Sequence, residues 1–276
     1  MTAGLLSIGT ELTRGELVNT NAAWLGEELT GLGFDVVEHV TVDDELERIV
    51  TALHRFAETH RVVIVTGGLG PTSDDLTTEA AARAAGVALR RDDSVVEGIR
   101  EKFKLFGRVM PESNAKQGDF PEGAEILLNP VGTAPGFAMT LGQARFFFVP
   151  GVPREMKHIF GESIVPAIGA LAEPRTHQVH LRTFGMTESG VAEALRGLEK
   201  THEGLTLGYR AHFPEIEVKV HVRAGSVAEA ERRSLAIAEE ARTRRGDAVV
   251  GGRDEAFADV VARAVRAAGK TLAVAE

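Results

Sequence analysis

Over the first 170 positions the apolar residues fall into short β-branched runs that alternate with amphipathic stretches. The runs at 3–8, 35–40 and 61–66 read as strands, and 21–32 and 43–58 between them as helices. This βαβαβ order predicts a mostly parallel sheet sandwiched by helices. Helical patterns continue at 76–85, 93–106 and 111–116, shorter strands at 124–128, 136–140 and 144–149, and a last helix at 152–171.

Residues 172–175 read as a linker, and the rhythm then changes. Strand 176–184, helix 187–198, strands 205–209 and 216–223, helix 227–244 and strand 247–250 give a βαββαβ order. That order predicts a small α+β domain with one antiparallel sheet. An amphipathic helix at 255–268 carries a stripe of Phe257, Val260, Val261, Ala264 and Val265, and 270–276 begins a further strand. The expected organisation is an α/β domain at 1–172, an α+β domain at 176–251, and a helix and stub of an absent third domain at 254–276. The stripe asks for a partner, either in the same chain or in a second copy, so a homodimer is expected.

The net charge of −9 argues against broad binding to nucleic acid, with Arg242, Arg244 and Arg245 as the nearest basic patch. The absence of cysteine excludes disulfides, thiolate metal sites and a Cys nucleophile, and fits a reducing cytoplasm. No basic region followed by an apolar core opens the chain, and no apolar run approaches the about 20 residues of a membrane span. Neither a signal peptide nor a membrane partner is therefore expected.

The most informative stretch runs from Thr66 through Gly67, Gly68, Leu69, Gly70, Pro71, Thr72 and Ser73 to Asp74 and Asp75. A buried strand that empties through three glycines into a helix N-terminus makes an anion site. Two adjacent carboxylates there would repel a phosphate unless a divalent cation joined them to it. Three further loops carry candidate residues. Gly9, Thr10 and Glu11, with Asn19 and Asn21, follow the first strand and share its sheet edge. Asn21 as a helix cap and Glu11 as a solvated acid are the plain alternatives. Asn129, Gly132, Thr133 and Gly136 belong to a Gly/Pro-rich loop that turn chemistry alone would explain. Pro150, Gly151 and Glu155 open the last helix, where Glu155 is a metal ligand, a general base, or a first-turn acid favoured by the helix dipole.

The histidines are scattered. His177 and His180 are three apart on a strand and face opposite ways, so they form no ligand pair. The βαββαβ segment invites comparison with RNA-binding KH modules. Where those carry Gly-X-X-Gly this chain reads Gly185, Met186, Thr187, Glu188, which makes RNA a weak option.

Gly9-Thr10-Glu11-Leu12 with Gly15 and Asn19-Thr20-Asn21, then Thr66 to Thr72 and Asp74-Asp75-Leu76-Thr77, closely resemble the CinA proteins. The loops at 129–136 and 150–156 match two more CinA motifs in the same order. The first domain of that family is similar to the molybdopterin-binding domains of the MogA and MoeA families, and its second is KH-like. Residues 271–276 are similar to the opening strand of the CinA C-terminal domain, a nicotinamide mononucleotide deamidase whose serine follows that strand. The resemblance therefore implies no deamidase activity in a chain ending at Glu276.

For the first domain the resemblance implies divalent-metal-dependent hydrolysis of ADP-ribose to AMP and ribose 5-phosphate, with Mg, Mn or Co as the ion. Amides from Gly67 to Gly70 would hold a phosphate, and Asp75 with Asp74 the metal. Glu11 or Glu155 would orient water, while Thr72 and Thr133 would donate to phosphate oxygens. Asp75 carries most weight, because related molybdopterin families have Asp at its place and several have Arg at that of Asp74. The alternatives are molybdopterin or nucleotide binding in cofactor biosynthesis, including adenylyl transfer, and a non-catalytic nucleotide-binding regulatory module. Trp24, on the helix after Asn21, would report ligand binding by fluorescence.

Overall fold

The computed structural model describes residues 1–169, 176–245, 249–252 and 257–273. They belong to two units, Met1–Glu173 and Pro174–Glu276. The first begins β1 (Thr2–Ile8), α1 (Thr10–Thr13), α2 (Thr20–Gly31), β2 (Asp35–Val42), α3 (Leu46–Thr59), β3 (Val62–Thr66) and α4 (Thr77–Ala85). It continues with β4 (Leu89–Arg91), α5 (Asp93–Leu105), a 3₁₀ segment (Glu112–Gly118), β5 (Asp119–Pro121), β6 (Glu125–Leu127), β7 (Gly136–Leu141) and β8 (Ala144–Val149). It closes with α6 (Pro153–Ile159), a π-helical segment (Phe160–Ile164) and α7 (Val165–Gly169).

The sheet has the order β2-β1-β3-β8-β7-β6. The first four strands are parallel, and β7 runs antiparallel to both β8 and β6. Strand β3 sits inside and is buried at every position, so its residues divide by pleat rather than by polarity. Val62 and Ile64 pack with Leu25 and Leu29 of α2 and with Met156 and Ile159 of α6. Val63 and Val65 face the other way, onto Leu53 and Phe56 of α3 and Ala80 and Ala81 of α4. The connection from β1 to β2 thus crosses one face and that from β2 to β3 the other. The two diverge between β1 and β3, which opens a crevice at the carboxyl ends of those strands.

In the second unit β9 (Thr176–Phe184), α8 (Glu188–Ala194), α9 (Leu198–Thr201), β10 (Leu205–His212), β11 (Glu215–Arg223), α10 (Val227–Arg245), β12 (Val249–Gly251) and α11 (Phe257–Ala267) follow in turn. Its sheet is antiparallel, in the order β10-β11-β9-β12. Leu181, Val218, Val220 and Val222 alternate onto the face that buries Ile237, Ala238 and Ala241 of α10.

Several expected elements differ in detail. The helix expected from 43 starts at Leu46, because Glu45 accepts from the amides of Glu47 and Arg48 and fixes the N-terminus there. The segment expected at 111–116 is 3₁₀ rather than α-helical. The helix expected from 152 begins at Pro153 and loosens into a π turn before resuming, with its expected end at 171 outside the described residues. The helix expected at 187–198 splits at Gly197, which has φ of 89°. Residues 270–273 form no strand. The expected linker at 172–175 lies outside the described residues. The stripe on α11 is partly covered within its own unit: Phe257 stacks on Phe184 at 5.1 Å and Val260 is buried. Among the described residues no helix is long and apolar enough to cross a membrane.

Candidate functional site

Four loops leave the sheet at the crevice, and together they line a cleft of about 630 Å³. From the expected set, Gly9, Glu11, Asn19, Asn21, Thr66, Gly67, Gly68, Gly70, Asp74, Asp75, Thr133, Pro150, Gly151 and Glu155 all line it. Thr10, Thr72, Asn129, Gly132 and Gly136 do not. Thr10, Thr72 and Asn129 instead bond to the acids that do, Asp44, Asp75 and Glu155.

The floor is backbone. Gly67 and Gly68 take φ of 99° and 66°, a region costly for any residue with a Cβ. A Cβ on Gly67 would also lie 2.1 Å from the Ile8 carbonyl oxygen, and one on Gly68 2.1 Å from Thr77 Oγ1. Buried Thr77 locks the turn, its hydroxyl donating to the Gly67 carbonyl at 2.8 Å and its amide to that of Gly68 at 3.2 Å. The amide of Gly67 donates to the Val149 carbonyl, which removes it from the donors expected to receive phosphate. Among the described hydrogen bonds none engages the amides of Gly68, Leu69 or Gly70.

Asp75 folds back on its own loop. Its Oδ2 accepts from the Thr72 amide at 2.8 Å and the Thr72 hydroxyl at 2.5 Å, so Thr72 serves the carboxylate rather than reaching the cleft. Asp74 stands exposed on the rim and competes with Asp75 for the one hydroxyl proton of Thr72; that hydroxyl, its own amide and the charge of Lys116 hold its carboxyl below the usual range. Behind the loop, Lys116 Nζ donates to the carbonyls of Thr72 at 2.9 Å and Asp75 at 2.6 Å.

The loop at 129–136 is built on the same plan. Lys102 Nζ donates to the carbonyls of Asn129 at 2.5 Å and Gly132 at 2.7 Å. Burial lowers the Lys102 ammonium below its ordinary range, against the pull of Glu155. Asn129 is buried, and its Nδ2 donates both to the Ala134 carbonyl at 2.8 Å and to Glu155 Oε2 at 2.5 Å. Gly132 lies so close beneath Glu155 that a Cβ there would come within 2.0 Å of the carboxylate. Glu155 is therefore a fixed acid of the cleft, not simply a first-turn residue.

In the first loop the two asparagines exchange their expected roles. Asn19 is the N-cap of α2: its Oδ1 accepts from the Ala22 amide at 3.0 Å, and its Nδ2 donates to Ser7 Oγ at 2.8 Å. That leaves it little to offer a nucleotide. Asn21 instead ties two cleft loops together, donating to the Gly151 carbonyl at 2.7 Å. Thr66 is buried against Ser7, 3.4 Å between hydroxyls. Asp44, which the sequence reading omitted, lines the cleft and accepts from the Thr10 amide at 2.7 Å. It follows the end of β2, beside β1 in the sheet, so its place after a parallel strand was a signal available in the sequence. Gln117 also lines the cleft, with its Nε2 3.4 Å from the Leu69 carbonyl.

Among the described residues the wall thus carries five carboxylates, Glu11, Asp44, Asp74, Asp75 and Glu155, and no Lys, Arg or His. None of the five forms a salt bridge among the described residues. Nor do three acid or imidazole side chains converge closely enough there to hold a metal unaided. Mg²⁺ and similar ions commonly take one or two carboxylates and complete their shell with water and substrate phosphates. The remaining oxygen of Asp75, with Asp74, fits that pattern.

In the second unit His177 and His180 point apart as expected, His177 to Ser234 of α10 and His180 to Glu217 of β11. Thr187 caps α8, accepting from the Gly190 amide at 3.1 Å. The turn where KH modules clamp RNA is thus an ordinary helix start.

A parallel sheet with a glycine-lined edge, followed by a four-stranded α+β unit, defines the class. Residues 4–170 match the family model described as "Probable molybdopterin binding domain", and residues 178–251 that described as "Damage-inducible protein CinA KH domain". The CinA-like protein of Frankia casuarinae is 42% identical over 288 residues, covering 100% of this chain and 66% of that protein. That of Geobacter sulfurreducens is 40% identical over 278 residues, covering 100% and 67%. A crystal structure titled as the protein CinA with unknown function from Thermoplasma acidophilum is 34% identical, with a TM-score of 0.54. It covers 62% of this chain and 97% of that one. The chain belongs to the CinA family. It spans about two thirds of the length of the curated relatives it matches.

Proposed function

We propose that the first unit is a divalent-metal-dependent pyrophosphatase acting on ADP-ribose or a closely similar nucleoside diphosphate sugar. One observation carries this reading: a cleft with five carboxylates, no cationic side chain and a row of unengaged glycine amides. A bare diphosphate would be repelled by that rim, whereas a diphosphate carrying a divalent cation meets both sets of groups with the right sign. Asp75, with Asp74, would hold the ion. When bound, such an ion neutralises diphosphate charge and lowers the pKa of coordinated water.

The chain's own groups have separate tasks. The amides of Gly68 to Gly70 receive phosphate oxygens, and Thr133 donates from the facing loop. Glu155, oriented by Asn129, keeps Oε1 for a water and takes its proton as that oxygen attacks phosphorus in line. The bond to the bridging oxygen breaks, releasing AMP and ribose 5-phosphate. Glu11 borders the same space and orients the water from the other side.

The test is incubation of the purified chain with ADP-ribose and Mg²⁺, Mn²⁺ or Co²⁺, following AMP by chromatography beside Asp75→Asn. The amide variant keeps an oxygen for the Thr72 donors while removing the charge. Metal-dependent AMP, abolished by chelator and reduced at least roughly a hundred-fold in the variant, is the expected result. AMP formation unaffected by Asp75→Asn would remove Asp75 from its role.

The matched family description favours a second reading, binding of molybdopterin or a nucleotide in cofactor biosynthesis. A pterin phosphate asks for the same amide donors. Adenylylation of added molybdopterin without ADP-ribose hydrolysis would select it, and tight ADP-ribose binding with no turnover under any metal would select a regulatory module. A homodimer in the cytoplasm remains the proposed setting, with light scattering as the check on assembly.

A further inference from the structure

Two lysines that line no part of the cleft make the same unusual connection from behind it. Lys116 Nζ donates to two carbonyls of the loop carrying Asp74 and Asp75, those of Thr72 and Asp75. Lys102 Nζ donates to two carbonyls of the loop carrying Thr133, those of Asn129 and Gly132. In a planar trans peptide the N–H of the next residue points opposite to the carbonyl. Each lysine therefore turns carbonyl oxygens toward itself and aims the amides of Ser73, Leu76 and Thr133 the other way. None of the described hydrogen bonds uses those three amides. Pro130, which follows Asn129, has no N–H to contribute. Of these three residues Thr133 lines the cleft, where its amide is open to an acceptor, whereas Ser73 is exposed and neither it nor Leu76 lines the cleft.

We propose that Lys102 and Lys116 are a matched pair of positioning residues that hold the backbone of the two loops, and with it Thr133 on one side and Asp74 and Asp75 on the other, in place for a phosphorylated ligand. The proposal deepens the nucleotide reading and rests on it for the ligand's identity. Without the clamps the Gly132 carbonyl would be free to rotate away from Lys102 and turn the Thr133 amide out of the cleft, and the Asp74–Asp75 loop would lose its fixed backbone. The clamps also place two fixed cations behind an anionic wall without exposing either to the ligand, which selects for phosphate held by backbone donors and against neutral nucleosides. Glu155 belongs to the Lys102 side of the device through Asn129, and Asp74 feels the Lys116 charge directly.

Amide hydrogen exchange on the full chain without ligand tests the positioning independently of any activity. Lys116→Met is expected to speed exchange across 69–76 by roughly ten-fold, about the worth of one charge-assisted hydrogen bond. Lys102→Met is expected to do the same across 129–135, each leaving the other loop and the β1, β3 and β8 peptides unchanged. Lys116→Arg, which keeps charge and donors at a half-buried position, should restore the parent pattern. Unchanged exchange in both loops, or acceleration spread through the strands, would overturn the proposal. Calorimetry with ADP-ribose and Mn²⁺ then separates the two readings. About ten-fold weaker binding in Lys116→Met, recovered in Lys116→Arg, is expected. A parent chain that binds no ADP-ribose would sink the nucleotide reading while the exchange result still decides the clamps.

Discussion

The acids around the cleft of the first unit and the buried and half-buried acids of the second are treated in opposite ways. In the second, Glu217 meets His180 at 2.7 Å, Glu215 meets Arg182 at 3.3 Å, and Glu240 is shared by His202 at 3.0 Å and Arg244 at 2.7 Å. Around the cleft of the first, five acids share one space and none has a salt-bridge partner among the described residues. Paired acids fix a fold, whereas a group of unpaired ones raises the local negative potential and so creates demand for a cation. The contrast separates charge used for architecture from charge held for a ligand.

Beyond the Asp75 variant, the change expected to break this contrast most sharply is Gly132→Ala. Its Cβ would sit within 2.0 Å of the Glu155 carboxylate and force it aside. Turnover should fall roughly a hundred-fold, the usual cost of about 1 Å of misplacement, with the melting temperature little changed. Kinetics beside a thermal melt reads both, and normal turnover would free Glu155 from the reaction.

Glu217→Gln should do the reverse, costing about 1–3 kcal/mol of stability near neutral pH while leaving AMP formation unaffected. Burial by itself would raise the Glu217 carboxyl, but the hydrogen bond and charge of His180, with Lys219 and Arg210, outweigh it and hold it below its usual range. A carboxyl lowered in the folded state contributes its stability above the unfolded pKa of about 4.3 and loses it as pH falls through the folded value. The gap between parent and variant in urea titrations should therefore close on acidification. A gap independent of pH would show that the pair acts through packing alone.

The smallest effect is expected at Asn19→Ala. Loss of the cap should cost about 1 kcal/mol, with KM for ADP-ribose unchanged. A raised KM at constant stability would return Asn19 to the ligand.

The alternation of strands and helices, and the meeting of the Gly9–Asn21 loop with the glycine loop on one sheet edge, were legible because period and topology fix them. Hydrophobic runs locate strands, and parallel connections bring their carboxyl ends together. What stayed hidden depends on contacts between distant segments. Lys102 reaches its carbonyl partners 27 and 30 residues away, and Lys116 at 44 and 41, with no local pattern to mark either. The capping role fell to Asn19 instead of Asn21 because the helix starts at Thr20, one residue earlier than the apolar pattern suggests. The amide of Gly67 looked available in the sequence, and only the neighbouring strand end at Val149 showed it to be taken.

Because the cleft floor is peptide backbone, with Gly67 packed under the Ile8 carbonyl and Gly151 beside it, its shape is nearly independent of side-chain identity. Substitutions that add a Cβ at Gly67 or Gly68 are excluded by collision, while those on the rim act at the level of charge and reach. An evolving lineage, or a designer, can therefore exchange a rim residue such as Asp44, which has no part in the proposed reaction, to change charge and reach without rebuilding the receptacle. An inhibitor that grips the floor rather than the rim would leave few viable escape mutations.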